Sequence, residues 1–377
     1  MIFSIYNSYY EINLQRIKEN VRKIKLYHKN VELMPVLKSN AYGMGTAKIA
    51  SYLYHNCGID VMACAQVCEG IQMRRANVDC PVLILGPVPD NAKPYAVEND
   101  LMPPVFTPDI AKKFQEEGEL QHKIVEIQIK IETGMHRIGV DIGKDLEELL
   151  DVIEGCSNLK VVGAFSHFVE ADIRDSEFTK QQFEIFKKGV EQIEARGIKL
   201  KYKHICNTSA SEWFQEAIDF STHLRVGSLF FGYSDIADSS NPINVKEVLS
   251  WRASITALKT VKPGESAGYS RYFKPDKETK IAIVGVGFGD GLSNIKAKHG
   301  GPVYVNDTLT HYVDTCMDQC FIDVTGIDCN VGDVVTIFGY TPGGKLLSPQ
   351  DFSPSYGEIY TGYTCVGGLR AGTVYLE

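Results

Sequence analysis

Apolar positions fall into two textures along the chain. Through the first two thirds, short apolar runs alternate with stretches in which apolar residues recur every three to five positions. The runs predict strands at 31–37 (VELMPVL), 59–65 (IDVMACA), 81–86 (PVLILG), 101–106 (LMPPVF), 124–131 (IVEIQIKI), 159–165 (LKVVGAF), 202–206 (YKHIC) and 222–226 (THLRV). The stretches between them, 44–55, 67–76, 108–117, 144–154 and 177–196, predict amphipathic helices. In the last of these Phe178, Phe183, Phe186, Val190 and Ile193 form one stripe. A strand followed by a crossover, repeated about eight times over about 230 residues, implies parallel pairing and a closed (β/α)8 TIM-type barrel. An open doubly wound sheet is the second choice, and no GxGxxG follows the first strand to support its dinucleotide-binding form.

After residue 240 the texture changes. SSNPIN (239–244) reads as a linker. Beyond it, runs at 251–261, 280–287, 302–305, 309–313, 320–324, 333–338 and 369–376 are separated by turn signals such as KPGE, GGP, VGD and TPGG. The fold class is therefore α/β. An N-terminal barrel is expected over 11–240 and a mostly-β domain over 245–377, with a strand in 1–10 packing against the β domain.

Composition narrows the function classes. The 377 residues are 44% hydrophobic and 23% charged, ordinary globular usage, and the net charge of -8 argues against a nucleic-acid partner. No apolar run approaches the roughly 18 residues of a membrane span, and no basic stretch with a long apolar core begins the chain. A cytoplasmic location is expected, without a secretory signal. The ten cysteines are scattered without a CxxC pair, which predicts reduced, mostly buried thiols and no metal site.

In such a barrel, chemistry gathers at the C-terminal ends of the strands. The first ends at Lys38, in VLKSNAYGMG. A lysine entering the barrel mouth is expected to be partly desolvated, which frees its amine for nucleophilic attack; a plain surface lysine fits the same position. The fifth strand ends at Lys130, followed by TGMHR with Arg137, and the sixth ends at Ser166-His167. The seventh carries His204 and leads to Asn207-Thr208-Ser209, and the eighth carries Arg225 before Gly227-Ser228. Backbone N–H groups and hydroxyls at Thr208, Ser209, Gly227 and Ser228 suit a phosphate, although helix capping also accounts for them. A lysine opposite a phosphate cradle is the layout that pyridoxal 5'-phosphate needs. Three other motifs read as structural. GVGFGDG (285–291) lacks a P-loop ending and predicts a tight turn, Cys316 and Cys320 predict core thiols, and His299 and His311 predict surface residues.

Taken together, these motifs resemble the alanine racemase family of fold-type III pyridoxal-phosphate enzymes along essentially the whole chain. The resemblance makes Lys38 the cofactor-bearing lysine and places Tyr42 near the phosphate. KIETGMHRIG is similar to the family's Lys-x-Asp-Thr-Gly-Met-x-Arg segment, which carries its modified-lysine role onto Lys130 and its substrate-facing arginine onto Arg137. SHF and HICNTSA bring in His167, His204, Asn207 and Thr208. LRVGSLFFG assigns Arg225 to the pyridine nitrogen and Gly227 and Ser228 to the phosphate. AGYSRYF assigns the catalytic tyrosine to Tyr269, and CMDQ assigns Met317 and Asp318 to the partner's site.

The implied activity is racemisation of an amino acid, most directly L- to D-alanine, in a homodimer with shared active sites. Lys38 would serve one face of the substrate. Tyr269 of the other subunit, its phenol acidified by His167 and nearby cations, would serve the other. Arg225 at the pyridine nitrogen would weaken the electron sink and restrain decarboxylation and transamination.

Departures from the family pattern lie mainly at the substrate gate. Phe288 stands where a tyrosine is common, Asn294 where an arginine is common, and Thr361 where a phosphate-binding tyrosine is common, with Tyr360 and Tyr363 nearby as substitutes. Glu132 replaces an aspartate. The alternatives are a racemase of serine or of a basic amino acid, a fold-type III decarboxylase, and a cofactor carrier without turnover.

Overall fold

The computed structural model describes residues 5–236, 242–366 and 370–377. Residues 239–241 of the expected SSNPIN linker and the start of the expected strand at 369–376 lie outside them. The chain forms two compact units: Lys18–Ala41 with Gly45–Val245, and Met1–Ile17 with Tyr42–Met44 and Lys246–Glu377.

The first unit is a parallel barrel of short staves: Glu32–Pro35, Met62–Cys64, Val82–Ile84, Leu101–Met102 with Pro104–Val105, Val125–Lys130, Leu159–Phe165, Tyr202–His204 and His223–Val226. The ring closes where Arg225 lies opposite Met34. The fourth stave is split because Pro103 has no N–H to donate. Its first half pairs with Val82–Ile84 and its second with Val125–Lys130. Met34, Val36, Val61, Ala63, Leu83, Met102, Val162, Phe165 and Tyr202 pack as one core cluster. Gly163 is needed there, since a Cβ at that position would sit 2.7 Å from the Tyr202 Cβ and 2.9 Å from the Gln128 side chain.

The predicted helices appear at Thr46–Cys57, Val67–Arg75, Pro108–Leu120, Lys144–Glu154 and Glu177–Ala195. A further helix, Leu14–Tyr27, was not among the expectations. It buries Ile17, Val21 and Ile24, a spacing of four and three that was visible in the sequence.

Among the described residues of the second unit, nine strands form one sheet, ordered Leu346–Leu347, Val334–Tyr340, Pro302–Val305, Thr308–Thr315, Cys320–Asp323, Thr279–Val284, Leu249–Val261, Ser8–Asn13 and Gly372–Leu376. Leu249–Val261 also pairs with Val334–Tyr340, which closes six of these strands into a small barrel. Ser8–Asn13 runs antiparallel to Leu249–Val261 and parallel to Gly372–Leu376. Trp251 is fully buried, edge-on to Tyr10 at 5.6 Å and to Phe338 at 5.9 Å. Short helices at Asn294–Lys298, Pro349–Phe352 and Tyr360–Val366 lie within the expected mostly-β domain.

The ten cysteines are free, but only Cys64, Cys80, Cys206, Cys320 and Cys329 are buried, fewer than expected. GVGFGDG makes the expected turn, with the Gly287 N–H donating to Asp290 Oδ2 at 2.9 Å. Cys316 and Cys320 flank a hairpin turn, and His299 and His311 are exposed.

Candidate active site

The barrel places its cations and imidazoles at the C-terminal ends of the staves. Arg225 is 3% exposed and anchors the group. Its Nη1 donates to His204 Nδ1 at 2.7 Å and to the His204 carbonyl at 2.8 Å. Its Nη2 donates to the carbonyls of Ser166 (2.6 Å) and Ile205 (3.0 Å) and to His167 Nδ1 (3.2 Å). Every acceptor is neutral. Among the described residues no carboxylate pairs with this guanidinium, and burial pulls it down to about 10.

A guanidinium can only donate, so both Nδ1 atoms are acceptors and both imidazoles carry their proton on Nε2. His204 is fully buried, stacks on Phe165 at 5.4 Å and meets Gln128 Oε1 at 2.8 Å. Burial and then the Arg225 charge hold both histidines well below the ordinary imidazole range.

Lys130, 4% exposed, lies over the Phe165 ring at 5.0 Å. Burial, Arg225 and Arg137 push it well below the usual lysine range, and Glu132 only partly compensates. Arg137 is exposed on the loop that follows. Its charge, with those of Arg225, Lys130 and Lys38, depresses His167, so the barrel brings these five predicted residues into one electrostatic cluster.

Lys38 itself corrects an expectation. It is exposed at the end of its strand rather than desolvated there. The four residues after it, Ser39, Asn40, Ala41 and Tyr42, all have left-handed backbones, with φ between 52° and 55°. Asn40 braces this turn: its Oδ1 accepts from the Thr46 N–H at 3.1 Å, and its carbonyl accepts from the Gly45 N–H at 2.9 Å. Tyr42 is half-buried and belongs to the second unit.

The loops after the last two staves hold the expected hydroxyls. Asn207 caps the turn Thr208–Ser211 through the Ala210 N–H at 3.0 Å, so capping does explain this side chain. Thr208 Oγ1 accepts from the Gly227 N–H and donates to Ser228 Oγ, each at 3.2 Å. Ser228 in turn donates to Asp235.

Glu132, where the resemblance implies an aspartate, is held by backbone donors. Its Oε1 accepts from the N–H groups of Thr133 (2.8 Å), Gly134 (2.6 Å) and Met135 (2.7 Å). Burial works against its charge, but these backbone donors outweigh it and hold the carboxyl below its usual range.

In the second unit the predicted residues sit on exposed turns. Tyr269 is 71% exposed and follows Gly268, whose φ is +78°. A Cβ at Gly268 would lie 1.9 Å from Asp314 Oδ2, so only glycine lets this segment rest on the strand Thr308–Thr315. Met317 and Asp318 occupy the hairpin turn after that strand. The turn at 287–290 is stitched to it, since the Phe288 and Gly289 N–H groups donate to the carbonyls of Cys316 (3.0 Å) and Met317 (2.9 Å). Arg370 ties both together, reaching Asp290 at 2.8 Å and Asp318 at 2.6 Å. Of the residues expected at the gate, Phe288 and Asn294 are exposed and Thr361 is half-buried. Tyr363 is 4% exposed and donates to Glu358, which makes it a core residue in this unit.

Sequence reasoning missed Gln128, Arg370 and the nest under Glu132. Gln128 left a trace, because it shares strand parity with Lys130 in IVEIQIKI and so faces the barrel interior.

A buried arginine with only neutral acceptors, set among two lysines and a second arginine, defines an anion-receiving site at the mouth of a barrel. The family models for the alanine racemase N-terminal domain and C-terminal domain match residues 12–235 and 248–375. The alanine racemase of Clostridium tetani is 33% identical over 374 residues, covering 97% of this chain and 95% of that protein. That of Methanococcus maripaludis is 33% identical over 375 residues, with 97% and 98% covered. The crystal structure of alanine racemase from Bacillus anthracis with bound L-Ala-P superposes with a TM-score of 0.91 at 26% identity, over 99% of this chain and 95% of that one. A histidine racemase from Leuconostoc mesenteroides shares the fold at a TM-score of 0.90 and 21% identity, over 99% of each chain. The chain belongs to the alanine racemase family, and with it to the isomerases.

Proposed function

We propose that the protein is a pyridoxal-phosphate-dependent racemase that interconverts L- and D-alanine as a homodimer. The observation that carries the reading is the buried Arg225, held by histidine and carbonyl acceptors and by no carboxylate among the described residues. Its donor set fits the cofactor. A cation that stays protonated gives up no proton to a pyridine nitrogen. The buried hydroxyls of Thr208 and Ser228, beside the Gly227 N–H, suit a phosphate, and Lys38 suits an aldehyde. When bound, the cofactor supplies the electron sink that acidifies the substrate α-carbon.

The protein's own groups do the rest. Inverting a carbon requires proton removal on one face and delivery on the other. Lys38 Nζ serves one face, and Tyr269 Oη of a second copy serves the other. Arg137 attracts the substrate carboxylate, and Met317 and Asp318 of the second copy bound the pocket. His167, neutral and bonded to Arg225, is poised to exchange a proton through Nε2. The domain limits follow the same reading, with the barrel over 11–240 holding the cofactor and 245–377 supplying the second base.

The test is reconstitution with pyridoxal 5'-phosphate followed by a panel of L-amino acids resolved by chiral chromatography. A visible absorption band lost in Lys38→Ala, with D-alanine as the main product, is the expected outcome. A protein that stays colourless would sink the reading. Preferred turnover of serine or a basic amino acid would move the substrate, as Phe288, Asn294 and Thr361 suggest. Release of carbon dioxide would move the reaction.

A further inference from the structure

Gln128 is fully buried on the stave Val125–Lys130, two residues before Lys130 and facing the same interior. The missing side chain of Gly163 makes room for it. Among the described residues its amide nitrogen meets only Met102 Sδ, at 3.9 Å, a weak acceptor, while its oxygen lies 2.8 Å from His204 Nε2. The orientation of this amide is therefore imposed from the far end of the relay. Arg225 Nη1 can only donate to His204 Nδ1, so the imidazole proton sits on Nε2, and only an acceptor can face it.

We propose that Gln128 is a positioning residue for the reaction: its oxygen locks His204 in the Nε2–H tautomer, the one form against which Arg225 can donate. This rests on the reading of Arg225 as the residue that meets the cofactor ring. Without an acceptor at position 128, the buried Nε2–H has no partner. The proton can move to Nδ1, but there it faces the Arg225 N–H, donor against donor, and the guanidinium must shift. A carboxylate at 128 favours the imidazolium, which carries a proton on Nδ1 as well and adds a positive charge beside Arg225. Both substitutions disturb Arg225 through His204 without touching a reacting atom.

The experiment compares wild type, Gln128→Met and Gln128→Glu as full-length protein with 15N-labelled histidine, with and without pyridoxal 5'-phosphate. Nitrogen chemical shifts report the His204 tautomer, titration of the band reports cofactor affinity, and alanine turnover gives kcat and KM. Wild type is expected to show neutral Nε2–H. Gln128→Met is expected to lose that signature, with cofactor affinity and kcat each reduced about tenfold or more and KM little changed. Gln128→Glu is expected to show an imidazolium at neutral pH with a similar loss, and it reports alone should Gln128→Met fail to fold. An unchanged tautomer overturns the proposal. So does a lower melting temperature with kcat and cofactor affinity within twofold of wild type, the mark of a merely structural residue. Wild type that binds no cofactor would instead fail the functional reading, while its tautomer still decides what Gln128 does to His204.

Discussion

The two units hold their chemistry in opposite ways. In the barrel, Lys130, His204 and Arg225 are buried at strand ends; Arg225 is bonded to His204 and to the backbone, and Lys130 lies over the Phe165 ring. In the β unit, Tyr269 and Met317 stand 71% and 56% exposed on turns braced from behind by Asp314, Asp290 and Arg370. A buried network is organised by its own chain. Exposed residues on rigid turns are organised for something outside that chain, and on the functional reading that is the barrel of a second copy.

The largest effect should come from separating the halves. Lys38→Ala and Tyr269→Phe should each lower turnover by roughly a thousandfold or more. Co-refolding equal amounts should restore about a quarter of the wild-type rate, because half of the dimers would carry one intact site. If the mixture stays inactive although dimers form, the two groups do not meet across subunits.

A second contrast concerns pH. Burial holds His28 and His223, both in the barrel unit, at about 4. As pH falls through about 6.5 the unfolded chain takes up these protons first, so stability present above that pH is lost on the way to about 4, roughly 1–3 kcal/mol per histidine. In the β unit, burial lowers Lys296 to about 7 against the pull of Cys320 and Glu358. Its unfolded form keeps the proton up to about 10.5, so this unit should gain stability, on the order of a few kcal/mol, as pH rises from 7 towards 10.5. Trp213 and Trp251 lie one in each unit and can report separately in single-tryptophan variants. The urea midpoint read at Trp213 should fall from pH 7 to 5, and that read at Trp251 should rise from pH 7 to 9. A Trp213 midpoint that does not fall on going below pH 7, or a Trp251 midpoint that does not rise on going above it, would erase the contrast.

Gly268→Ala tests the bracing at closer range. With φ at +78° and Asp314 in the path of the new Cβ, the turn must shift, at a cost of roughly 1–3 kcal/mol. Turnover should fall about tenfold while the barrel's cofactor band stays intact. Arg370→Ala should do least. It removes a half-exposed clamp, raising KM about two- to threefold with kcat preserved.

Much of the barrel was legible because one period, strand then amphipathic helix, repeats under one packing rule. Its strand-end residues followed directly, since parity and position alone put Lys130, His204 and Arg225 in the mouth. What escaped had physical reasons. Pro103 splits a stave that reads as one apolar run. Gln128 carries no charge to draw attention, and its importance lies in a partner 76 positions away. Lys38 was expected to be desolvated because an apolar strand precedes it, but the left-handed turn that follows leaves it exposed. In the β unit the helices Pro349–Phe352 and Tyr360–Val366 are too short to show a period, and Arg370 earns its place only through the two carboxylates it joins.

The left-handed run after Lys38 has a consequence for laboratory evolution. Four successive non-glycine residues in that basin cost roughly 1–2 kcal/mol each, and glycine would relieve much of it. A library screened for heat tolerance alone should therefore collect glycines at positions 39–42. The same clones should lose the fixed approach of the lysine beside them, so survivors of such a screen would be sturdier and slower. Selecting for both properties at once should leave this segment untouched and place the stabilising changes elsewhere.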